Sequence, residues 1–177
     1  MSLPLNRSNV PPRPKDVLWI ERLKGTESLR FTCYSKSFWG LWTHWSGSRT
    51  VPCFENHDHC IGGHDEATMR WKGYLHGWSQ RKNRVCFCEF TPGAARELLE
   101  QVPDRQSLRG LHLIVSRTKT SKGRLHCSID GVPLHASRIP PEADPMASLW
   151  HMWELDPMSH LVNRSLVTAP ELVPMAS

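Results

Sequence analysis

Apolar and polar residues alternate along two neighbouring stretches of this chain, with a short polar segment between them. Residues 70–78 place Trp71 and Leu75 on one side of an extended chain, and residues 84–91 continue the alternation. The polar residues 79–83 that separate the two stretches are typical of a turn. The pattern therefore predicts a β-hairpin whose core side contains Trp71 and Leu75.

One helix is predicted directly after this hairpin. Thr91 is a suitable N-cap, and Pro92 fits the first helical position because that position needs no backbone N–H donor. An apolar stripe follows, and Pro103 ends the helix. Further strands are predicted from β-prone runs at residues 16–23, 28–35, 108–117 and 124–129. Residues 38–67 show no regular period, and we predict that they are irregular.

The predicted irregular segment contains a dense cluster of metal-binding residue types. Residues 44–64 hold two cysteines and four histidines, namely Cys53, Cys60, His44, His57, His59 and His64. Thiolate and imidazole are ligands that Zn²⁺ prefers, and a full set of four protein ligands is typical of a structural site. Gly62 and Gly63 allow the sharp turn that brings the last histidine back. We predict a zinc site formed by Cys53, His57, Cys60 and His64, with His44 or His59 as the alternative to one of the histidines.

The predicted elements follow the order strands, long loop, hairpin, helix and hairpin. This order resembles that of OB-fold proteins that bind single-stranded nucleic acids, some of which carry a zinc loop inserted in the barrel. The resemblance implies a mainly β protein with one helix, of the α+β class, folded as a small OB-like β-barrel over residues 16–131 that includes the zinc-stapled loop 44–64. Residues 1–15 are predicted to be a disordered arm, and residues 132–177 a flexible, Pro/Met-rich acidic tail.

Charge is distributed unevenly along the chain, whose formal net charge is +5 at pH 7. Residues 141–177 contain five acidic residues and one arginine, so this segment carries −4 and the rest of the chain +9. A basic body favours a polyanionic partner such as nucleic acid. The acidic tail includes Leu149–Trp153, a candidate short helix or peptide motif, and we expect the tail to recruit a protein partner or to cover the binding groove.

The side of the hairpin opposite to Trp71 carries a cation and aromatic rings, the combination that base stacking and phosphate contact require. This predicted platform consists of Lys72, Tyr74, His76 and Trp78. Two basic turns are predicted to contact phosphates through Arg81, Lys82, Arg117, Lys119, Lys122 and Arg124. We therefore predict binding of single-stranded nucleic acid, with DNA favoured over RNA. Trp39 and Trp42 are predicted to pack, whereas Trp45 is left open between packing and stacking.

Two other functions fit the same residues. The first is a zinc-dependent protein-interaction module, in which the tryptophans and the tail dock onto a larger assembly. The second is a metal-dependent nuclease with Glu55, Asp58 or Asp65 as its base, but the sequence contains neither a phosphate-binding glycine motif nor a nucleophilic-serine motif, so no enzyme is predicted. Residues 1–15 do not resemble a signal peptide and no run of 18 apolar residues occurs, which predicts a cytoplasmic protein of bacterial or phage type with reduced cysteines and no membrane partner.

Overall fold

A computed structural model gives the architecture of residues 17–54, 58, 60, 63–64, 66–103, 107–118, 123–144, 146–153 and 164–165. Within these residues the chain forms nine strands and two α-helices. In chain order they are β1 (Trp19–Glu21), β2 (Ser28–Cys33), β3 (Trp39–Trp45), β4 (Thr50–Pro52), β5 (Arg70–Ser79), β6 (Arg84–Phe90), α1 (Pro92–Glu100), β7 (His112–Arg117), β8 (Leu125–Ile129), α2 (Met146–Trp153) and β9 (Arg164–Ser165). The predicted class is confirmed, because the domain is mainly β and of the α+β type.

The predicted hairpin and helix are confirmed close to their expected bounds. Strands β5 and β6 pair antiparallel, with Gly73 opposite Phe90 and Ser79 opposite Arg84. Helix α1 begins where predicted, since the Thr91 side chain accepts a hydrogen bond from the Ala94 N–H at 3.4 Å and caps its first turn. Local turn and capping chemistry therefore determines this part of the fold.

The described strands form one open sheet rather than a closed barrel. Its main path runs β1-β6-β5-β2-β7-β8, and the first half of β5 pairs with β3 while its last three residues pair with β2. The terminal strands of this path, β1 and β8, are not hydrogen-bonded to each other in the part of the chain that the structure describes. The predicted barrel closure is therefore not confirmed.

The expectation that residues 38–67 are irregular is wrong, because strands β3 and β4 lie within them and pair as a hairpin. Alternation did not reveal β3 since both of its sides are covered. Gly40, Leu41, Thr43 and His44 are all buried, whichever way their side chains point. A strand buried on both faces loses the two-residue period that identifies a half-exposed strand.

The sheet is covered on both faces. One apolar cluster lies beneath α1 and includes Trp71 and Leu75, which confirms their predicted core positions. A second cluster contains Tyr74 and Phe87 and is covered by α2, whose Leu149 is fully buried. The Leu18 N–H donates to the Ser148 hydroxyl at 2.8 Å, which fixes α2 to the chain near β1.

Part of the segment predicted as a flexible tail thus belongs to the folded domain. The Arg109 guanidinium donates to the carbonyl oxygens of Ile139 and Pro140 at 2.8 and 2.7 Å, and the Leu134 N–H donates to the Gly110 carbonyl at 2.9 Å. These contacts lead the chain across the sheet towards α2. The island Leu149–Trp153 is helical, one of its two predicted forms. The predicted arm, residues 1–15, lies outside the described residues.

Candidate functional site

A cluster of four metal-binding side chains lies beside the β3–β4 hairpin. One ligand atom from each of His44, Cys53, Cys60 and His64 lies within 4.8 Å of the others. Three of the four residues are buried and His64 is half-buried. These four residues could hold a metal ion.

Strand pairing brings the first two ligands together. His44 lies on β3 opposite Val51 of β4, and Cys53 follows directly after β4. The Cys53 N–H donates to the Trp42 carbonyl at 2.8 Å, which continues the hairpin by one hydrogen bond. Nine residues separate His44 from Cys53 along the chain, but the hairpin makes them neighbours.

A tight turn brings the other two ligands to the same point. The Gly63 N–H donates to the Cys60 carbonyl at 3.1 Å, and Gly63 has a positive φ of 86°. That conformation is unfavourable for residues with a Cβ atom, so glycine suits this position. The turn predicted from the glycine pair is therefore present at Gly63, and it places His64 next to both cysteines.

The measured separations match those of a tetrahedral zinc site. Zn–S bonds of about 2.3 Å and Zn–N bonds of about 2.0–2.1 Å imply an S···S edge of about 3.8 Å and an S···N edge of about 3.6 Å. The Sγ atoms of Cys53 and Cys60 lie 3.9 Å apart, and the His64 Nδ1 atom lies 3.5 and 4.0 Å from them. Cys53, Cys60 and His64 therefore need little rearrangement to coordinate one ion, and the ligand atom of His44 lies within 4.8 Å of theirs.

Electrostatics around the two thiols also favours a cation. Burial, together with the neighbouring Cys60 thiol, raises the pKa of Cys53 to about 11. Two thiolates this close would repel each other strongly without a positive charge between them. A divalent ion removes that repulsion, and its binding releases the thiol protons.

The structure gathers three of the four predicted ligands and adds His44, which the sequence left as an alternative. His57 and His59 lie outside the described residues, so the prediction for His57 is not tested. His44 could have been preferred over His57 only by recognising β3 and β4, because the strand register is what brings it to Cys53.

A carboxylate lies behind one of the histidines. The Glu66 Oε1 atom is 3.8 Å from His64 Nε2, on the side of the ring away from the two cysteines. Carboxylates that hydrogen-bond a ligating imidazole orient it and increase its basicity, but 3.8 Å is an ion-pair distance and exceeds that of a hydrogen bond. Glu66 is 84% exposed, so its influence on the site is weakened by solvent.

The prediction that Tyr74 and His76 belong to a stacking platform is wrong, because both residues are buried. The Tyr74 hydroxyl donates to Glu89 at 3.1 Å, and His76 Nδ1 accepts from the Ala143 N–H at 3.2 Å. The segment that leads into α2 covers both rings, so neither is available for stacking. Lys72 and Trp78, at the two ends of this row, are half-buried.

The two basic turns lie at the opposite end of β5 from Lys72. The Arg81 guanidinium contacts the Glu27 carboxylate at 2.6 Å, and the Arg117 N–H donates to the Glu27 carbonyl at 3.1 Å. The eight residue-to-residue steps from Lys72 to Gln80 span about 26 Å of extended chain. The predicted residues therefore do not form one compact site.

The other residues predicted to contact phosphates differ in their surroundings. The Arg117 side chain donates to the Gly123 carbonyl at 2.7 Å, which uses part of its guanidinium within its own hairpin. Lys82 and Arg124 are exposed. Lys119 and Lys122 lie outside the described residues, so their predicted role is not tested.

A cleft of about 420 Å³ lies at the open end of the predicted face. Its lining includes Trp45, which is 50% exposed, and three cationic side chains, Arg22, Arg49 and Lys72. Glu89 lies on its floor and contacts Arg22 at 2.8 Å and Lys72 at 3.0 Å. Burial alone would raise the pKa of Glu89, but these two cations hold it below its usual value. The lining thus combines an exposed indole with an excess of positive charge.

Sequence reasoning missed this cleft. Arg22 and Arg49 come from turns far apart in the chain, and no local pattern links them to Lys72. The signal that could have found the site was Trp45, an aromatic residue next to a candidate metal ligand, which the sequence left open between packing and stacking.

Comparison of the chain with protein-family models, curated proteins and solved structures finds no match. Neither of the two described helices is long and apolar enough to cross a bilayer. The function of the protein is therefore inferred from the geometry of the metal cluster and the cleft.

Proposed function

We propose that this protein is a zinc-stabilised domain that binds single-stranded nucleic acid, DNA in the first place, through the cleft around Trp45. The observation that carries this proposal is the half-exposed Trp45 beside Arg22, Arg49 and Lys72. Proteins that bind single strands combine aromatic rings for base stacking with cations that follow the backbone. The net charge of +5 favours the same partner.

The proposed ion is Zn²⁺, because two thiolates and two imidazoles form a ligand set that zinc prefers. The S···S and S···N separations support tetrahedral coordination. Four protein ligands fill all positions of such a site, whereas a catalytic zinc keeps one position open for water or substrate. The proposed role of the metal is therefore structural, and the proposed function is binding rather than hydrolysis.

The metal and the cleft are linked through the β3–β4 hairpin. His44 and Trp45 are consecutive residues on β3, and Trp45 pairs with Thr50 of β4. A metal that joins His44 to Cys53 holds the two strands together next to this pair. We expect zinc to fix the position of the Trp45 indole, so that nucleic-acid binding depends on the metal without direct contact to it.

The test is fluorescence anisotropy of a labelled single-stranded oligonucleotide, measured with the full-length zinc-loaded protein at several salt concentrations. We expect binding that weakens steeply as salt rises, because phosphate contacts release counterions. Trp45→Ala should weaken binding by roughly tenfold, since a stacked base contributes about 1–3 kcal/mol.

Trp19 offers a matched control. It is also 50% exposed, but it lies on β1 with the Arg84 guanidinium 4.6 Å from its ring centroid, and it does not line the cleft. Trp19→Ala should leave the affinity unchanged. No binding at low salt, or equal losses in the two variants, would contradict the proposal. The first of these outcomes would favour the protein-interaction module.

A further inference from the structure

Trp45 borders a second cavity in addition to the cleft. This smaller cavity has a volume of about 230 Å³ and includes Arg70 and Thr68 in its lining. Trp45, Thr50 and Lys72 line both spaces. The half-exposed indole is thus part of a wall that the two cavities share.

The backbone of Trp45 is held in place by hydrogen bonds. The Trp45 N–H donates to the Thr68 hydroxyl at 3.1 Å, and Trp45 is hydrogen-bonded into the hairpin opposite Thr50. Its neighbour His44 belongs to the metal cluster. With its backbone fixed, Trp45 has only its side-chain torsions to order when a base stacks on the indole, which favours binding.

The larger cavity is lined by two arginines, Arg22 and Arg49, the smaller one by Arg70, and Lys72 lines both. The Arg70 guanidinium donates to the carbonyl oxygens of Ala67 and Met69 at 3.2 and 2.6 Å, so its position is defined. Arg49 and Arg70 thus provide a separate cation for each base position, and Lys72, which contacts Glu89 at 3.0 Å, lies between them.

Helix α2 bounds the larger cavity on one side. Met152 of α2 lines it and contacts the Arg22 guanidinium at 3.0 Å, and beyond this point Leu149 is buried in the cluster that includes Tyr74. A volume of about 420 Å³ lies near the lower limit of small-molecule sites, which range from about 300 to 1,000 Å³. The space therefore suits one nucleotide rather than a run of several bases.

The geometry points to a two-nucleotide site, in which consecutive bases of a single strand occupy the two cavities on either side of Trp45 and Lys72 contacts the phosphate that joins them. This inference rests on the proposed function and specifies the size of its site. Binding modules of the OB type commonly cover about 4–16 nucleotides, so a site of two is a distinct expectation.

A length series tests the inference. Oligothymidylates of one to eight nucleotides, each with a 5′-phosphate, compete with a labelled longer oligonucleotide for the zinc-loaded protein at fixed salt. We expect a gain of roughly tenfold from one nucleotide to two, because the second base then stacks. Further nucleotides should add only small gains that disappear as salt rises.

Two charge variants assign the cavities. Arg70→Gln should remove the gain between one and two nucleotides and leave the binding of the mononucleotide unchanged. Arg49→Gln should weaken the mononucleotide itself. Thermal unfolding and zinc content, measured for both variants, separate a loss of contact from a loss of fold.

The outcomes distinguish this inference from the proposed function. An affinity that rises evenly from two to eight nucleotides at all salt concentrations would overturn the two-nucleotide site and leave nucleic-acid binding intact. Equal effects of Arg70→Gln and Arg49→Gln on the mononucleotide would overturn it as well. Failure of even the longest oligonucleotide to bind at low salt would overturn both.

Discussion

The six cysteines of the chain are all reduced and buried, yet they lie in two different environments. Cys53 and Cys60 face each other at 3.9 Å beside two histidines. The other four belong to the apolar cluster under α1, namely Cys33, Cys86, Cys88 and Cys127. Among the described residues, only the first pair belongs to a group whose ligand atoms could hold a metal.

This difference shows that burial alone does not define a metal site. Burial raises the pKa of both Cys86 and Cys127 to about 12, so these thiols stay protonated and pack as small apolar side chains. The pKa of Cys53 is also raised by burial, but the neighbouring thiol and the two imidazoles provide the geometry that a cation needs. The neighbours of each cysteine, rather than its exposure, decide its chemistry.

The largest effect is expected from removing the two cysteines of the metal cluster. The double variant Cys53→Ala, Cys60→Ala should lower the zinc content from about one ion per chain to nearly none and destabilise the protein by about 4 kcal/mol or more, because the proposed ion would join His44 of β3 to Cys53, Cys60 and His64. Elemental analysis of the purified protein and chemical unfolding measure the two quantities.

Cys88→Ala is the matched control in the second environment. Cys88 is fully buried like Cys53, but it packs among apolar side chains on β6. Its replacement should cost about 1–2 kcal/mol through the lost packing and leave the zinc content at one ion per chain. Zinc retained in the double variant, or lost in Cys88→Ala, would contradict the distinction between the two groups.

The sequence predicted those parts of the molecule whose signals are local. The β5–β6 hairpin follows from alternation and a polar turn, and α1 follows from the Thr91 cap and Pro92. The metal cluster was found at three of its four positions because Cys53, Cys60 and His64 lie within twelve residues of one another. In each case the residues that interact are also close in sequence.

What the sequence did not predict depends on contacts between distant segments. Tyr74 and His76 alternate as a solvent-facing row would, but the segment that buries them comes about seventy residues later. His44 reaches the metal cluster only through the register of two strands that alternation did not reveal. Covering segments and strand register are tertiary properties, and single-sequence patterns do not contain them.

The histidines, like the cysteines, lie in two different environments, and this difference predicts a smaller, pH-dependent effect. His44 and His64 lie at the metal cluster, whereas His76 is buried on β5 and accepts a hydrogen bond from the Ala143 N–H. Only a neutral imidazole can accept this bond. Burial, with a contribution from Arg109, lowers the pKa of His76 although Glu142 acts in the opposite direction.

A histidine whose pKa is lower in the folded state contributes stability that is present above the unfolded pKa of about 6.5 and is lost as the pH falls through the folded value. We therefore expect the protein to lose about 1 kcal/mol as the pH falls below about 6.5, the contribution of one such hydrogen bond. His76→Asn places its side-chain oxygen near the position of Nδ1, where it can accept this bond without titrating, so its unfolding free energy should depend less on pH. Parallel unfolding curves of the two proteins at every pH would show that His76 has no such role.

The smallest effect is expected from a change at Glu66, on the outer side of the metal cluster. Glu66 lies 3.8 Å from His64 Nε2 and is mostly exposed. Glu66→Gln should weaken zinc binding by roughly threefold, less than the usual effect of carboxylates behind ligating histidines, because this contact is long and solvent screens it. Competition with a chromophoric chelator measures the change.

Glu100→Gln removes an equal charge from an exposed position at the end of α1 and serves as the control. Equal zinc affinities in the two variants would limit the metal environment to the four ligands, whereas a weaker affinity in Glu66→Gln alone would show that it includes the carboxylate that orients His64.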